Sequence, residues 1–311
     1  MVPRIARYRG ALLGLAVCDA LGTTLEFASP GTFTPVTEVT GGGPFHLQAG
    51  QWTDDTSMAL CLAESLIACS GFDARDQMER YVRWWRHGHW SSTGHCFDIG
   101  NTIRAALSRF ESTGDPFSGS TDPRAAGNGS LMRLAPVALW WARNEVQAVH
   151  DAARSSRTTH GAPTCIDACR YFAALLCGAL RGCSKEELLA PEFWRHGPLV
   201  SRIEDIRHGS YLQKAPPAIR GTGYVVESLE AVLWAFAKST DFEHGALLAV
   251  NLGDDADTTG AIYGQIAGAY YGEEAIPARW RALLHRGDEI GRIAEQLEAA
   301  KNPGTGSLPA S

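Results

Sequence analysis

Apolar residues recur at helical spacing along most of the chain. In residues 57–69, for example, Met58, Leu62, Leu66 and Cys69 fall on one face of a helix. The same period predicts helices over residues 9–25, 57–69, 99–110, 126–142, 162–180, 225–237, 242–252 and 258–271. Alternating patterns typical of strands are scarce, and residues 32–39 are the best candidate. The polar stretches 111–124 and 207–221 are predicted to be loops.

These patterns favour one all-α domain over residues 1–300. The chain has 311 residues and 45% hydrophobic content, which is enough for a large buried core. No stretch rich in Gly, Ser or Pro divides it convincingly into two parts. Residues 301–311 have the composition of a disordered tail.

Small residues recur at every fourth position in two of the predicted helices. Glycine costs a helix about 1 kcal/mol relative to alanine, so such a ridge needs a structural reason. Spacing of four puts the small residues on one face, where a second backbone can approach closely. We therefore predict a tightly packed central helix pair that carries the two ridges. They consist of Gly10, Gly14, Cys18 and Gly22, and of Gly260, Gly264, Gly268 and Gly272.

Charge and cysteine content narrow the possible environments and partners. The net charge is −6 and the sequence pI is about 5.9, which disfavours bulk nucleic-acid binding. No apolar run reaches the ~18–20 residues of a membrane span, and no secretory signal is recognised. None of the eight cysteines forms a C-x-x-C pair. We expect a cytoplasmic, monomeric protein without disulfides or membrane contact.

Two acidic clusters stand at predicted helix starts. Taken alone, Thr53-Asp54-Asp55-Thr56 has a simple explanation, in which Thr53 caps a helix and the acids favour its first turn. The second cluster, Asp254-Asp255-Ala256-Asp257-Thr258, makes that explanation insufficient. Three carboxylates in four residues repel one another unless a positive charge lies between them, and neither cluster contains Lys or Arg. Oxygen ligands of this kind suit Mg²⁺ or Mn²⁺, and two such clusters together suit a pair of ions.

Six separate motifs together resemble the ADP-ribosylglycohydrolase family, which includes the dinitrogenase-reductase-activating glycohydrolase. The resemblance spans residues 8–272, and the motifs occur in the family's order. One departure is Cys18, where the family usually has glycine. The motifs are GALLGLAVCDALG at 10–22, WTDDT at 52–56, GNGSLMR at 127–133, THGAP at 159–163, GYVV at 223–226 and DADT at 255–258.

The resemblance implies a compact multi-helix orthogonal bundle with a dinuclear Mg²⁺ or Mn²⁺ centre in its middle. Glu26 matches a family glutamate near the metals, Asp98 an acid near the scissile bond, and Asn101 a neighbour that orients substrate. Asp55 is expected to serve both catalysis and metal binding. The metal ligands implied by position are Thr53, Asp54, Asp55, Asp255, Asp257 and Thr258.

Asp98 and the segment 128–130 each have a chemical and a purely structural interpretation. A carboxylate opposite a metal-bound water would manage protons, and Asp98 is our candidate, although Asp is also a common helix N-cap. Asn128, Gly129 and Ser130 precede an apolar segment. Their backbone N–H groups would cradle phosphate or ribose oxygens, or form an ordinary turn.

Two further segments carry candidate contacts to the nucleotide. His160 is flanked by threonines and a glycine, and the resemblance implies a substrate or phosphate contact. Gly223 belongs to a flexible turn before Tyr224, whose ring would stack on adenine or pack in the core.

The leading functional hypothesis is hydrolysis of ADP-ribose from a modified protein, with arginine as the acceptor. In this hypothesis a metal-bound water attacks C1″ of the distal ribose. The alternatives are the same chemistry on serine, a nucleobase, a free metabolite or a toxin-modified target, the last as an immunity function. A regulator that binds ADP-ribose without turnover and a phosphohydrolase that cuts the pyrophosphate also remain open. Nucleic acid is expected as a partner only if it is itself the modified substrate.

Overall fold

The computed structural model describes residues 2–300, and its regular secondary structure is almost entirely helical. Met1 and the predicted tail 301–311 lie outside the described residues. Within residues 2–300, β pairing is limited to three isolated bridges. The fourteen α-helices of this range are α1 (Arg4–Gly22), α2 (Asp54–Cys69), α3 (Ala74–His87), α4 (Asn101–Thr113), α5 (Ala135–Trp140), α6 (Glu145–Thr159), α7 (Pro163–Arg181), α8 (Lys185–Leu189), α9 (Ser201–Arg207), α10 (Val225–Lys238), α11 (Phe242–Val250), α12 (Ala256–Tyr271), α13 (Ala278–Arg281) and α14 (Gly287–Ala299).

The α1–α12 pair forms the centre of the structure, as the two glycine ridges predict. A Cβ atom on Gly14 would lie 2.5 Å from the carbonyl oxygen of Gly264, and one on Gly260 would lie 2.6 Å from that of Cys18. Backbone therefore packs directly on backbone along the pair. Cys18 occupies a ridge position because its own side chain is fully buried and Gly260 opposite it leaves room.

A buried arginine ties this pair to α7. Nη1 of Arg7 donates to the carbonyl oxygens of Ala179 at 3.0 Å, Ala269 at 2.9 Å and Tyr270 at 2.6 Å. These carbonyls lie in the last turns of α7 and α12, where helix ends have unsatisfied acceptors and partial negative charge. Arg7 thus fixes the C-terminal ends of α7 and α12, and both of these ends are remote from the acidic clusters.

Seven of the eight predicted helices match helices of similar extent, and one prediction is largely wrong. Residues 126–142 contain only the short helix α5, and residues 128–133 form turns before it. The apolar residues Leu131 and Leu134 are buried as a helix would bury them, so the hydrophobic pattern alone does not distinguish the two conformations. The best strand candidate, residues 32–39, forms no strand, and this segment is irregular.

Three long helices, α3, α6 and α14, fall in segments where no element was predicted from the sequence. Each has a polar outer face. The start of α3 is capped by Asp73, whose side chain accepts from the backbone N–H of Asp76 at 2.9 Å. Among residues 2–300, no helix is long and apolar enough to cross a membrane.

Candidate metal centre and cleft

The two acidic clusters meet at the start of α2 and the start of α12. The Thr53 hydroxyl lies 3.1 Å from Oδ2 of Asp55 and 3.2 Å from Oδ2 of Asp257, and the Thr258 hydroxyl lies 3.4 Å from Oδ2 of Asp55. Thr53 occupies the N-cap position of α2 but makes no side-chain capping hydrogen bond, so the simple capping explanation is wrong. Its hydroxyl serves the junction of the clusters instead.

Asp19, for which no role was predicted from the sequence, holds this junction in place. Its Oδ1 accepts from the backbone N–H and the hydroxyl of Thr53, both at 2.9 Å. Its Oδ2 accepts from the backbone N–H of Thr56 at 3.1 Å and from the Thr56 hydroxyl at 2.6 Å. One oxygen each of Asp19, Asp55 and Asp257 lie within 4.8 Å of one another. Because both Asp19 oxygens already accept two hydrogen bonds, we assign Asp19 to positioning rather than to ligation.

A second group of acids adjoins the first. One oxygen each of Glu26, Asp98 and Asp257 lie within 4.8 Å of one another. Asp98 lies in the loop before α4 with φ of 58°. It does not cap α4, because the N-cap residue is Gly100. The position of Asp98 therefore places its side chain among the acids, which favours the chemical interpretation over the capping one.

Strained backbone at the edge of the cleft links these acids. Phe27 and Asp254 have positive φ angles of 60° and 55°, which non-glycine residues seldom adopt. The N–H of Phe27 donates to the carbonyl of Asp254 at 2.7 Å, and the N–H of Asp254 donates to that of Ala28 at 2.8 Å. This pairing fixes the Glu26 loop against the start of α12. The Asp254 side chain itself turns outward to pair with Arg220 at 2.8 Å.

The electrostatics of the cluster indicate that it needs positive charge. Burial, followed by repulsion from neighbouring carboxylates, raises the pKa of Asp98 to about 9 and that of Asp255 to about 7. Burial likewise raises the pKa of Asp19 to about 6, against hydrogen bonds from threonines that lower it. The same two causes, burial and neighbouring acids, raise the pKa values of the remaining members, which are Glu26, Asp54, Asp55 and Asp257.

Two buried carboxylate oxygens within this cluster also lack a hydrogen-bond partner, namely Oε2 of Glu26 and Oδ1 of Asp55. Buried polar atoms are nearly always satisfied in folded proteins, so each such atom calls for an explanation. The set consists of carboxylate and hydroxyl oxygens, which are the ligands that hard divalent cations prefer. The residues present therefore fit a site for Mg²⁺ or Mn²⁺.

Above the acids lies a cleft of about 510 Å³, a size suited to a small-molecule ligand. Asn128 joins its wall to the acids, since Nδ2 donates to Oδ2 of Asp255 and to Oγ of Ser228, both at 2.8 Å. The N–H of Asn128 also donates to the carbonyl of Gly223 at 3.1 Å. The predicted site residues that line the cleft are Glu26, Asp54, Asp98, Asn101, Asn128, Gly129, His160, Gly223, Asp255, Asp257 and Thr258.

His160 lines the cleft beside the glycines of the 127–129 loop. A Cβ atom on Gly129 would lie 2.8 Å from the imidazole ring, so only glycine allows the loop to approach this closely. Burial, and secondarily the charge of Arg133, lowers the pKa of His160 to about 3. The imidazole is therefore neutral at physiological pH.

Two predicted substrate contacts lie elsewhere. The Ser130 hydroxyl accepts from the Ser156 hydroxyl at 2.9 Å and from the Cys169 thiol at 3.4 Å, behind the loop. A direct contact to substrate through this side chain would require those bonds to break. Tyr224 is 39% exposed and lines a neighbouring pocket of about 680 Å³.

The cleft has an aromatic edge that was not predicted from the sequence, where Phe27 and Phe45 line it. The ring of Phe45 lies between those of Phe27 and Phe97, at centroid distances of 6.4 and 5.2 Å. Phe27 is 68% exposed. A clear signal existed in the sequence, since Phe27 and Phe97 immediately adjoin Glu26 and Asp98, two of the three candidate catalytic acids.

Comparison with known proteins identifies relatives of this arrangement. The family model described as ADP-ribosylglycohydrolase matches residues 1–305. The chain is 44% identical to ADP-ribosylarginine hydrolase Tri1 of Serratia proteamaculans, with 93% of this chain and 78% of the relative covered. It is 33% identical to ADP-ribosyl-[dinitrogen reductase] glycohydrolase of Rhodospirillum rubrum, with 89% and 90% covered.

A solved structure described as an ADP-ribosylglycohydrolase-related protein complex has the same fold. The TM-score is 0.86 at 48% sequence identity, and 96% of this chain and 98% of the other are covered. The match confirms the all-α fold class, and its near-complete coverage means that the acidic clusters and the cleft lie within the shared fold.

Proposed function

The chain belongs to the ADP-ribosylglycohydrolase family, and we propose that it removes ADP-ribose from arginine side chains of modified proteins. The observation that carries the proposal is the meeting of both acidic clusters beneath a cleft lined by hydrogen-bonding groups. Two relatives at 44% and 45% identity, from Serratia proteamaculans and Pseudomonas putida, are named as ADP-ribosylarginine hydrolases, which supports arginine as the acceptor.

We propose that the centre holds two Mg²⁺ or Mn²⁺ ions. The unpartnered oxygens of Asp55 and Glu26 and the raised pKa values throughout the cluster support a bound positive charge. When bound, such ions supply charge neutralisation and lower the pKa of water. The proposed ligands are Thr53, Asp54, Asp55, Asp255, Asp257 and Thr258, with Glu26 beside them.

The reaction exchanges one bond at C1″ of the distal ribose. The C1″–N bond to the arginine guanidinium breaks, and a C1″–O bond to water forms. One proton leaves the water and one is delivered to the departing guanidine nitrogen, so charge and atoms balance. We propose that Asp98 and Glu26 carry these protons, because their carboxyl oxygens lie together at the cleft and burial favours a proton on each of them.

The remaining cleft residues are proposed to hold the nucleotide. Asn101 begins α4 next to the acid loop and is placed to orient the ribose. Asn128, Gly129, His160 and Gly223 offer polar groups along the wall, which suits phosphate and ribose oxygens. Tyr224 would stack on adenine from the neighbouring pocket, since its ring is partly exposed beside Gly223.

We further propose a monomeric enzyme that acts in the cytoplasm on ADP-ribosylated proteins. All eight cysteines are free thiols, which suits a reducing compartment. The aromatic edge formed by Phe27 and Phe45 offers the acceptor protein a surface beside Asp98, and a guanidinium packs favourably on an aromatic face.

The proposal is tested with wild-type protein and Mn²⁺ on arginine-, serine- and DNA-linked ADP-ribose, with products identified by mass spectrometry. We expect free ADP-ribose from the arginine substrate. Release of AMP would instead indicate pyrophosphate cleavage, and tight ADP-ribose binding without turnover of any substrate would indicate a binding protein.

Variants then test the assigned chemistry. Asp98→Asn is expected to lower kcat by roughly 10²–10⁴-fold, the range typical of general acid–base groups, while ADP-ribose still binds. Asp122→Asn is the matched control, because the side chain of Asp122 is 41% exposed and pairs with the exposed Arg124. Equal activity of the two variants would remove Asp98 from the mechanism.

A further inference from the structure

Arg133 is a fully buried cation whose contacts converge on His160. Its Nη1 donates to the carbonyl of Gly129 at 2.8 Å, and its Nη2 donates to the hydroxyl of Thr159 at 2.7 Å. The guanidinium also lies 4.7 Å from the centroid of the Tyr81 ring. Within residues 2–300 it forms no ion pair with a carboxylate. Burying a cation without a counterion is costly, so the presence of Arg133 at this place calls for a functional explanation.

The hydrogen bonds around Thr159 have only one consistent direction. A guanidinium can only donate, so the Thr159 oxygen accepts from Arg133. The other polar atom within reach is Nδ1 of His160, at 2.9 Å. The carbonyl of Ser155, four residues earlier, is not available as an acceptor for the Thr159 hydroxyl. It already accepts from the Thr158 hydroxyl at 2.8 Å and from two weaker donors. The Thr159 hydroxyl proton therefore points to Nδ1 of His160.

This direction fixes the state of the imidazole. A neutral histidine whose Nδ1 accepts carries its proton on Nε2. The opposite tautomer would leave the Thr159 hydroxyl as a buried donor without an acceptor. Protonation of both nitrogens would place a second cation beside Arg133, and burial already opposes that charge.

Nε2 lies on the cleft side of the ring. Cβ atoms on Gly127 and Gly129 would lie 3.4 and 3.2 Å from it, so the absence of side chains there leaves the nitrogen accessible. Among residues 2–300, Nε2 has no hydrogen-bond partner in the protein. Unlike Oε2 of Glu26 and Oδ1 of Asp55, it is not completely buried. His160 lines the cleft, which is where a partner for this nitrogen would lie.

We propose that Arg133 and Thr159 are positioning residues that hold His160 with its proton on Nε2, so that the cleft presents one fixed N–H donor. Such a group donates to an oxygen with a free lone pair, either a phosphate oxygen or a ribose hydroxyl oxygen. The identity of that ligand as ADP-ribose rests on the proposed function, whereas the tautomer does not.

The tautomer is read directly from the ¹⁵N resonances of histidine-labelled protein, because protonated and unprotonated ring nitrogens differ widely in chemical shift. The chain has ten histidines, and His160→Gln assigns the resonance by its loss. We expect an unprotonated Nδ1 and a protonated Nε2, unchanged between pH 5 and 8. A protonated Nδ1, as the other tautomer or as the imidazolium, would overturn the proposal.

Two substitutions of Thr159 form a matched pair. Thr159→Ser keeps the hydroxyl and should preserve both the tautomer and the ADP-ribose affinity. Thr159→Val keeps the shape without the hydroxyl, and we expect mixed tautomers and a roughly 3- to 10-fold weaker Kd for ADP-ribose, as for loss of one oriented hydrogen bond. Identical spectra for the two variants would refute the role of Thr159.

Arg133→Met tests the second positioning residue, and mixed tautomers are expected if the variant folds. If it does not fold, the Thr159 pair still decides the question. Ribose and ribose 5-phosphate, titrated separately, show by the Nε2 shift whether a hydroxyl or a phosphate is the acceptor. If ADP-ribose shifts neither nitrogen, His160 does not contact it. If the tautomer is as expected but arginine-linked ADP-ribose is not hydrolysed, the proposed function fails while this assignment stands.

Discussion

Asp19→Asn should weaken metal binding while changing the metal-free protein little. The substitution keeps the size of the side chain and removes one negative charge. Oδ1 can still accept from Thr53, but an amide NH₂ replaces the oxygen that accepts from the backbone N–H and the hydroxyl of Thr56. The hydroxyl can rotate to accept from the amide, whereas the backbone N–H cannot turn away.

Two effects of similar size oppose each other in the metal-free protein. Burial raises the pKa of Asp19 from 3.8 to about 6, so its ionised form costs the folded state roughly 3 kcal/mol at pH 8. The substitution relieves this cost. It also leaves the N–H of Thr56 unpaired, which costs about 1–3 kcal/mol. We therefore expect the Tm of the metal-free variant to stay close to that of wild type.

Bound cations change this balance, because they offset the repulsion that the substitution relieves. The unpaired N–H and the displaced Thr53 then remain as the dominant effects. Loss of a residue that positions metal ligands typically costs about 10- to 100-fold in affinity. At saturating metal this corresponds to about 1.4–2.7 kcal/mol of lost stabilisation.

Calorimetric unfolding with and without saturating Mn²⁺ separates these cases, with Asp122→Asn as the surface control. We expect the metal-induced rise in Tm to be clearly smaller for Asp19→Asn than for wild type and the control. A variant destabilised equally in both conditions would show that Asp19 serves packing alone. A variant with an undiminished response to Mn²⁺ would remove Asp19 from the metal centre.

Three further predictions follow from packing and charge. Gly264→Ala should destabilise the protein by at least about 2 kcal/mol in denaturant unfolding, because its Cβ would clash with the Gly14 backbone, whereas Gly100→Ala has free space. The Mn²⁺-induced rise in Tm should grow between pH 5.5 and 8. Because the pKa of Asp255 is raised to about 7, the metal-free folded state keeps a proton that the unfolded chain has already released. The stability of the metal-free protein therefore falls as the pH rises through this window. Asn128→Asp should lower the Tm of the metal-free protein in calorimetric unfolding, since a carboxylate would face Asp255 where the amide now donates.

The sequence predicts the central helix pair and the junction of acids because both depend on local rules. Small residues at every fourth position of a soluble helix predict close packing against another helix, and the contact between Gly14 and Gly264 confirms it. Clustered carboxylates such as Asp255 and Asp257 cannot be explained without a compensating charge, wherever the chain places them. Neither inference required knowledge of which helices are neighbours.

Asp19 illustrates what such local reasoning misses. On its helix it appears only as one acid in an apolar ridge, and its four hydrogen bonds come from residues 34 and 37 positions away. Those residues lie at the start of α2, and Gly22, one turn after Asp19, lets the start of α12 approach α1 beside them. The role of Asp19 thus depends on the meeting of α1, α2 and α12 rather than on the segment that contains it.

The error at residues 126–134 has the same origin and bears on the site. The apolar side chains of Leu131 and Leu134 are buried with helix-like spacing, so burial alone would permit a helix. A helix over Asn128 would, however, turn its backbone N–H away from Gly223 and its amide away from Asp255, and both bonds are made in the structure. The loop therefore exchanges regular helical hydrogen bonds for contacts to the cleft and the acids. Conformations that serve a binding site in this way are where pattern-based prediction is expected to fail.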